Sequence, residues 1–259
     1  MMTGRRTIIV TGAGSGIGRA SALRFAQAGF NVIANGRRQS ALEETREMAY
    51  DHAHRISAVS GDVGLESTAQ LLVQRACELG GFGWLVNNAG VGWNYGLANP
   101  GSMAALKDTS AEQWREVLRI NLDSVYFLCH AALQHFCAQG SGSIVNVSSG
   151  GGLKGMDDAH TYATAKAGIV NLTRSLAKAY GRFGVRSNVI APGFVDTEMV
   201  SSVLDSELNP FANESTKYMV SPMGRPGTAA EIADAIFFLA VDATYCNGAI
   251  LSVDGGSLA

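Results

Sequence analysis

The strongest constraint on the fold is an end-to-end alternation of short apolar runs with longer amphipathic ones. The apolar runs predict strands near 7–11, 31–35, 56–60, 84–87, 143–148, 187–191 and 249–253, and the amphipathic runs predict helices near 16–28, 39–51, 65–78, 110–138, 161–181 and 228–240. Capping boxes, Ser110 with Gln113 and Thr228 with Glu231, mark two helix starts. Strands that alternate with helices form a parallel sheet covered on both faces. We therefore expect an α/β fold with a mostly parallel seven-stranded sheet in a single domain over 1–259.

A glycine-rich segment follows the first predicted strand. It reads Thr-Gly-Ala-Gly-Ser-Gly-Ile-Gly over 11–18 and leads into a helix. The free N–H groups and positive dipole end of a helix N-terminus bind phosphate, and glycines at this spacing let a pyrophosphate approach the backbone. The alternative is a glycine turn that serves only packing. The strand–turn–helix placement favours a dinucleotide site whose contacts come from Gly12, Ser15, Gly16, Ile17 and Gly18.

Glycines and other small residues also follow several later strands. Asn-Asn-Ala-Gly occupies 87–90, Ser-Ser-Gly-Gly-Gly occupies 148–152, and Pro-Gly occupies 192–193. The carboxyl ends of parallel strands share one edge of the sheet, where open α/β sheets bind ligands. Small residues at several of these ends predict a long binding slot along that edge.

The end of the second strand bears on which dinucleotide binds. NAD binding typically uses an acidic residue there to hold the ribose 2′-hydroxyl, but this chain has Asn35-Gly36-Arg37-Arg38. A guanidinium suits a 2′-phosphate instead. The sequence therefore favours NADP(H) over NAD(H), the alternative being two solvated surface arginines. Asp62, at the third strand end, either accepts a hydrogen bond from the adenine amino group or caps the next helix.

The segment from Ile144 to Lys166 is where we expect the chemistry. An apolar strand ends at Ser148 and Ser149, and the following helix carries Tyr162 and Lys166 one turn apart on the face of an apolar stripe. An ammonium beside a phenol lowers the phenol pKa from about 10, which suits proton transfer near neutral pH. A packed tyrosine with a solvent-seeking lysine is the alternative for this pair taken alone.

Three further features are open to two interpretations. Asn121 lies within the apolar stripe of a predicted helix, where it is either functional or a hydrogen-bonded structural residue. Residues 91–109 and 194–227 are long and irregular. Such segments over a crevice are often lids or substrate walls, and the alternative is a solvent loop with no role. We expect 194–227 to be a substrate lid.

Composition excludes several classes of protein. Hydrophobic residues make up 47% and charged residues 16%, and the net charge of −2 gives no electrostatic case for nucleic acid or an anionic membrane. No apolar run reaches the length of a membrane span, and no signal peptide is evident. The four cysteines and five histidines show no pairing or ligand spacing. We expect a reduced, metal-free, soluble cytoplasmic protein.

Together these motifs resemble the short-chain dehydrogenase/reductase family in its compact single-domain form. The resemblance covers essentially the whole chain through the glycine motif at 11–18, Asp62-Val63, Asn87-Asn88-Ala89-Gly90, Asn121, Ser149, Tyr162-x-x-x-Lys166, Pro192-Gly193 with Thr197, and Val253-Asp254-Gly255-Gly256. Ser149 rather than Ser148 matches the family serine, which lies 13 residues before the tyrosine. The resemblance implies a Rossmann-like, doubly wound fold.

The resemblance also implies roles for these residues. Tyr162 exchanges a proton with the substrate oxygen, Ser149 hydrogen-bonds the carbonyl, Lys166 holds the nicotinamide ribose and lowers the tyrosine pKa, and Asn121 supports Lys166 through a water. Cofactor contacts are implied along the slot, beyond the glycine loop and the two arginines, at Asp62, Val63, Asn88, Ala89, Gly90, Tyr162, Lys166, Pro192, Gly193, Val195 and Thr197. Relatives often form tetramers through the helices at 110–138 and 161–181.

The expected activity is hydride transfer between NADP(H) and a ketone or secondary alcohol. The candidate substrate residues are mainly apolar and suggest a hydrophobic or ring ketone: Trp93, Tyr95, Gly151, Met156, Phe194 and Met199. Two departures from the family pattern are a longer loop after residue 90 and Ser15, where some NADP-binding relatives carry a basic residue. One alternative is a catalytically silent dinucleotide sensor or scaffold. A nucleotide-sugar epimerase or dehydratase is less favoured, because those relatives usually have a larger C-terminal substrate region than 194–227.

Overall fold

The central element is a seven-stranded parallel sheet. This computed structural model describes residues 6–205, 207 and 209–259. The strands of the sheet are β1 (Thr7–Thr11), β2 (Asn31–Gly36), β3 (Ile56–Ser60), β4 (Phe82–Asn87), β5 (Gly142–Val147), β6 (Val185–Pro192) and β9 (Ile250–Val253). They lie in the order β3-β2-β1-β4-β5-β6-β9, and every neighbouring pair is parallel. The Rossmann-like α/β class, the number of strands and the parallel pairing are confirmed.

The strands bury both of their faces. In β1, Ile8 and Val10 pack into one hydrophobic cluster, whereas Ile9 packs into the other. Because side chains alternate along a strand, a central strand with helices on both faces must be apolar at every position. This is why the predicted strands are continuous apolar runs.

Helices cover the two faces of the sheet. The helices between the strands are α1 (Gly16–Gln27), α2 (Gln39–Glu47), α3 (Glu66–Leu79), α4 (Trp93–Ala98), α5 (Ala111–Leu118), α6 (Ser124–Gln139), α7 (His160–Tyr180), α8 (Ser201–Leu204), α9 (Glu214–Val220) and α10 (Ala229–Phe237). One cluster joins α1 and α10 through Phe25 and Ile236, and the other joins α3 to α6 and α7 through Leu72, Leu128 and Ile169. Both predicted capping boxes, at the starts of α5 and α10, are present.

Several boundaries differ from the prediction. The helix expected over 110–138 contains a π-helical turn at Arg119–Asp123 that holds Asn121. The end of the helix expected over 39–51 is a separate 3-10 helix at Tyr50–Arg55. The irregular segments contain α4, α8 and α9, which are too short to show a clear helical period in the sequence.

A second, two-stranded sheet closes the ends of the 194–227 segment. Its strands are β7 (Val195–Asp196) and β8 (Gly227–Thr228), and they pair in parallel. The backbone N–H of Gly227 also donates to the carbonyl of Phe194 at 2.9 Å. The segment is therefore attached to the body of the protein at both ends, at the carboxyl end of β6.

Candidate active site

The glycine loop connects β1 directly to the N-terminus of α1. A Cβ atom on Gly18 would lie 2.1 Å from the carbonyl oxygen of Gly12, so only glycine lets the helix pack this closely on the loop. Gly16 adopts φ +49°, in the left-handed region that favours glycine. The Ser15 side chain makes no capping hydrogen bond, which leaves the N–H groups of the first turn available to a phosphate.

Thr11 joins this loop to the end of β4. Its hydroxyl oxygen accepts from the backbone N–H groups of Asn88 and Ala89, each at 3.0 Å, and the Asn88 side chain donates to the Thr11 carbonyl at 2.9 Å. The ends of β1 and β4 are thereby held together at the point where the strand order reverses, which is where doubly wound sheets bind dinucleotides.

A groove of about 460 Å³ runs along this edge. The predicted cofactor residues that line it are Gly12, Ser15, Gly16, Ile17, Arg37, Arg38, Asp62, Val63, Asn88, Ala89, Gly90 and Thr197. Asn35, which is 1% exposed, also lines the groove, and its buried side-chain oxygen has no hydrogen-bond partner among the described residues. An unpartnered buried acceptor is costly.

The two predicted phosphate-binding arginines lie on one wall of the groove, and both are exposed. Arg37 forms no hydrogen bond or ion pair with the described residues, whereas Arg38 forms an ion pair with Glu198 at 3.5 Å. A third arginine, Arg19, is already committed, because it donates to the Gly14 carbonyl and forms an ion pair with Glu44.

Asp62 does not cap a helix. The N-cap of α3 is Leu65, and the Asp62 carboxylate instead accepts from the Gly64 N–H at 2.9 Å and forms an ion pair with Arg119 at 3.0 Å. Of the two sequence interpretations, the helix cap is wrong, while contact with adenine stays a prediction.

A second cavity of about 270 Å³ continues from the groove. Ile17, Asn88, Thr197 and Met199 line both spaces. The other predicted site residues that line this cavity are Trp93, Ser149, Gly151, Met156, Tyr162, Lys166, Pro192, Gly193, Phe194 and Val195. The structure therefore brings the serine, tyrosine and lysine to one cavity, at the end of the groove that the glycine loop begins.

Tyr162 is held from two sides within the cavity. Its phenol lies near the Ser149 hydroxyl, and its ring lies 5.5 Å, centroid to centroid, from the ring of Trp93 in an edge-to-face arrangement. Trp93 is the first residue of α4. The long loop after residue 90 therefore contributes directly to the catalytic cavity.

Lys166 is 4% exposed, and its ammonium donates to the Val147 carbonyl at 3.0 Å. Burial lowers its pKa from 10.5 to about 8. Asn121 lies behind it and is fully buried, with its side-chain oxygen accepting from the Val91 N–H at 3.1 Å. A Cβ atom on Gly90 would lie 2.6 Å from that oxygen and 3.4 Å from the ammonium nitrogen, so Asn121 and Lys166 approach the same glycine.

The expected lowering of the Tyr162 pKa is wrong for this structure. Burial raises the pKa of Tyr162 above 10, and the hydrogen bond from Ser149 opposes that rise only in part. The Lys166 ammonium is 5.6 Å from the centre of the tyrosine ring and is directed to the Val147 carbonyl. Loss of hydration therefore outweighs the attraction of the cation for a phenolate.

The neighbouring serines have different contacts. The Ser148 hydroxyl donates to the backbone carbonyl of Lys166 at 2.8 Å, which ties β5 to α7. The Ser149 oxygen accepts from the Gly151 N–H at 3.1 Å and lies near the Tyr162 phenol. Both serines line the cavity, and the choice of Ser149 as the residue that contacts the substrate stays a prediction.

A chain of buried polar side chains supports the catalytic helix and was missed from the sequence. Asn87 donates to the side-chain oxygen of Asn146 at 2.8 Å, and Asn146 donates to the Thr173 hydroxyl at 2.9 Å. Asn146 and Thr173 are fully buried. The signal was available, because Asn146 interrupts an apolar strand and needs a partner there.

Tyr95 is not part of the catalytic cavity, contrary to the prediction. It lines a separate surface groove with Glu116 and Arg119. The segment forms a helix from Trp93, and residues two apart on a helix point in nearly opposite directions. Wall residues that the sequence did not indicate are Val200, Val220 and Leu258.

Asn94 connects the two irregular segments. Its side-chain amide donates to the Glu198 carbonyl and to the Ser201 hydroxyl, and its backbone N–H donates to the Met199 carbonyl at 3.1 Å. The first turn of α4 therefore holds the start of the 194–227 segment beside the groove.

Comparison with known proteins agrees with this geometry. A family model described as enoyl-(acyl carrier protein) reductase matches residues 12–257. The chain belongs to the short-chain dehydrogenase/reductase family, as its motifs predicted. It is 40% identical to cis-4-hydroxycyclohexanecarboxylate dehydrogenase of Sinomonas cyclohexanicum, over 97% of this chain and 96% of that protein.

Two solved structures are also similar across nearly the whole chain. The crystal structure of levodione reductase matches with a TM-score of 0.87 and 34% identity, covering 97% of this chain and 96% of that one. ElxO with NADP bound matches with a TM-score of 0.86 and 29% identity, covering 98% and 99%. The chain is therefore a hydride-transfer oxidoreductase whose cofactor is a nicotinamide dinucleotide.

Across the ranges that the structure describes, no three or more histidine, cysteine, aspartate or glutamate side chains lie close enough together to hold a metal ion. No helix within those ranges combines the length and apolarity needed to cross a bilayer.

Proposed function

We propose that the protein reduces a ketone with NADPH and that Tyr162 is the proton donor. The observation that carries this proposal is that Ser149, Tyr162 and buried Lys166 line one cavity, which is continuous with the glycine-loop groove. Bound NADPH supplies the hydride that reduces the carbonyl carbon. The protein supplies the proton and holds the carbonyl oxygen.

The residues divide this work between them. Burial raises the pKa of Tyr162, so the phenol is protonated at neutral pH and can donate to the oxygen as negative charge develops there. Ser149 donates a second hydrogen bond to the same oxygen. Lys166 binds the nicotinamide ribose, and Asn121 keeps the backbone beside it in place through its bond to Val91.

Substitution of Tyr162 by phenylalanine tests the proposal directly. We expect kcat for ketone reduction to fall about 10²- to 10⁴-fold, the usual contribution of a positioned acid, while NADPH binding measured by fluorescence is retained. An unchanged kcat would sink the assignment. If no ketone in a broad panel is turned over although NADPH binds, the silent sensor is favoured.

The preference for NADP(H) over NAD(H) rests on Arg37 and Arg38 in the groove wall. No acidic residue occupies the end of β2, and guanidinium groups suit the 2′-phosphate. ElxO, a structural relative, was solved with NADP bound. Measured kcat/KM values for NADPH and NADH decide the matter, and equal values or a preference for NADH would refute it.

We propose a ring ketone as the substrate class. The cavity walls beyond the catalytic residues are mainly apolar, with Trp93, Met156, Phe194, Met199, Val200 and Leu258. Cis-4-hydroxycyclohexanecarboxylate dehydrogenase and levodione reductase are among the relatives. Lys154 lines the cavity, forms no hydrogen bond or ion pair with the described residues, and could bind a carboxylate. Comparing KM for cyclohexanone and 4-oxocyclohexanecarboxylate tests both points.

The organisation of the chain is part of the same proposal. The single domain over 1–259 carries a lid at 194–227, because Phe194, Met199, Val200 and Val220 from that segment line the cavity. Slower limited proteolysis of the segment with NADPH present would support a lid. We also propose that the protein is a homotetramer, which analytical sedimentation tests, and that it is cytoplasmic, which cell fractionation tests.

A further inference from the structure

An ion pair spans the dinucleotide groove. Arg38, just after β2, and Glu198, in the 194–227 segment, both line it, and their Nη2 and Oε2 atoms are 3.5 Å apart. We propose that Glu198 determines cofactor specificity by competing with the 2′-phosphate of NADP(H) for Arg38. This inference rests on the NADP(H) preference proposed above.

The competition matters because few cations are available at this end of the groove. Arg19 is 18% exposed and is paired with Glu44. Arg37 forms no hydrogen bond or ion pair with the described residues, so a phosphate can take it without displacing anything. Of these three arginines, only Arg38 forms an ion pair with a residue on another wall of the groove, Glu198. Glu198 therefore sets the net charge that a 2′-phosphate meets.

The phosphate and the carboxylate need the same group. A phosphate monoester carries about −1.5 to −2 charges at neutral pH and binds guanidinium through two parallel hydrogen bonds. It therefore displaces a single carboxylate, but the displaced Glu198 stays close and repels it. Because Arg38 and Glu198 are 68% and 66% exposed, water and salt weaken both effects. Glu198 consequently tunes the affinity for NADP(H) rather than abolishing it.

The Glu198 side chain can be changed without releasing the segment that carries it. Asn94 holds this segment through the carbonyl of Glu198, the carbonyl of Met199 and the hydroxyl of Ser201, and none of these bonds uses the carboxylate. A glutamine at 198 keeps the length of the side chain and removes only its charge. An effect of that substitution therefore reports on electrostatics at the groove.

The experiment compares two nucleotides that differ by the 2′-phosphate. Titration calorimetry measures Kd for 2′,5′-ADP and 5′-AMP with the wild-type protein and Glu198→Gln. We expect 2′,5′-ADP to bind about three- to tenfold more tightly to the variant, with 5′-AMP unchanged. In 1 M salt, where the Debye length is about 3 Å, the gain should largely disappear.

Two further variants locate the effect. Asp196→Asn removes an equal charge two residues away, on an exposed residue that does not line the groove, and should leave both Kd values unchanged. In an Arg38→Ala background, Glu198→Gln should tighten 2′,5′-ADP binding much less, because the contested guanidinium is absent and only the screened repulsion between carboxylate and phosphate remains. A full gain in that background would overturn the inference.

Other outcomes are equally decisive. If Glu198→Gln leaves 2′,5′-ADP binding unchanged, or alters both nucleotides alike, the carboxylate does not compete. Weaker 5′-AMP binding would assign it instead to the 2′-hydroxyl and also refute the inference. The NADP(H) preference fails separately, if wild-type protein binds 2′,5′-ADP no more tightly than 5′-AMP. A selective gain in Glu198→Gln would support competition even then.

Discussion

The two halves of the slot use charge in opposite settings. At the catalytic end, Tyr162 and Lys166 are 5% and 4% exposed, and burial shifts the pKa of each. At the adenosine end, Arg38 and Glu198 are mostly exposed and meet in water. Loss of hydration shifts the pKa of a buried group strongly, so its contribution to stability or activity is large and depends on pH. An exposed ion pair contributes little, and its contribution depends on salt. Substitutions in the two halves should therefore differ in both size and signature.

After Tyr162→Phe, the largest effect on kcat should distinguish two adjacent serines. We expect Ser149→Ala to lower kcat about 10²- to 10³-fold, as loss of a hydrogen-bond donor to a developing oxyanion does. Ser148→Ala should lower kcat much less, because its hydroxyl bonds the Lys166 carbonyl rather than the cavity. Steady-state kinetics with one ketone measures both variants. Equal losses would mean that the catalytic end works as a packed unit without a distinct oxygen-binding residue.

The burial of Lys166 should make the free energy of unfolding depend on pH. Its pKa falls from 10.5 to about 8 in the folded protein. The unfolded chain therefore binds more protons between pH 8 and 10.5, and stability rises with pH across that window. Relative to Lys166→Met, the wild-type protein should gain up to about 3 kcal/mol there. Urea unfolding at pH 7, 9 and 10.5 measures this difference, and a constant difference would contradict it.

The polar chain under the catalytic helix should matter mainly for stability. Asn146→Ala removes one partner of the Asn87 amide, which keeps the Cys129 sulfur, and one partner of the Thr173 hydroxyl, which still donates to the Ile169 carbonyl. Two buried hydrogen bonds are lost, each worth about 0.5–1.5 kcal/mol, so we expect the free energy of unfolding to fall by about 1–3 kcal/mol. Urea denaturation measures it. Asn247→Ala is the comparison for an exposed asparagine bonded only to backbone, and a similar loss there would show that the chain of buried polar side chains has no special weight.

The local sequence was sufficient wherever the determining contacts are local. The glycine motif, the capping boxes and the apolar strands act within a few residues, and the structure contains each of them. Tyr95 was misplaced because α4 is a short helix whose phase the sequence does not show. The Tyr162 pKa was wrong because burial depends on side chains from distant segments, such as Trp93.

The adenosine end was the harder half to predict for the same reason. The sequence positions of Arg37 and Arg38 were enough to propose them as phosphate-binding residues, but the partner of Arg38 lies 160 residues further on, in a segment with weak periodicity. Nothing near Glu198 indicates a contact with β2. Asn94, which holds that segment in place, likewise sits in a loop that showed only its length.

The smallest effects should come from the arginines, and they sharpen the contrast. Arg37 forms no hydrogen bond or ion pair with the described residues, so Arg37→Ala should raise KM for NADPH about tenfold, the equivalent of about 1.4 kcal/mol, and leave KM for NADH unchanged. Arg38→Ala should raise KM for NADPH less. In the wild-type protein the phosphate gains Arg38 only by breaking the ion pair between Arg38 and Glu198, so the net contribution of Arg38 to binding is smaller than that of Arg37. Kinetics at low and high salt measures both variants, and the Arg37 effect should shrink as salt screens it. If the rise in KM for NADPH in Arg37→Ala depended on pH but not on salt, the contrast between exposed and buried charges would be contradicted. The adenosine end would then behave like the buried catalytic end.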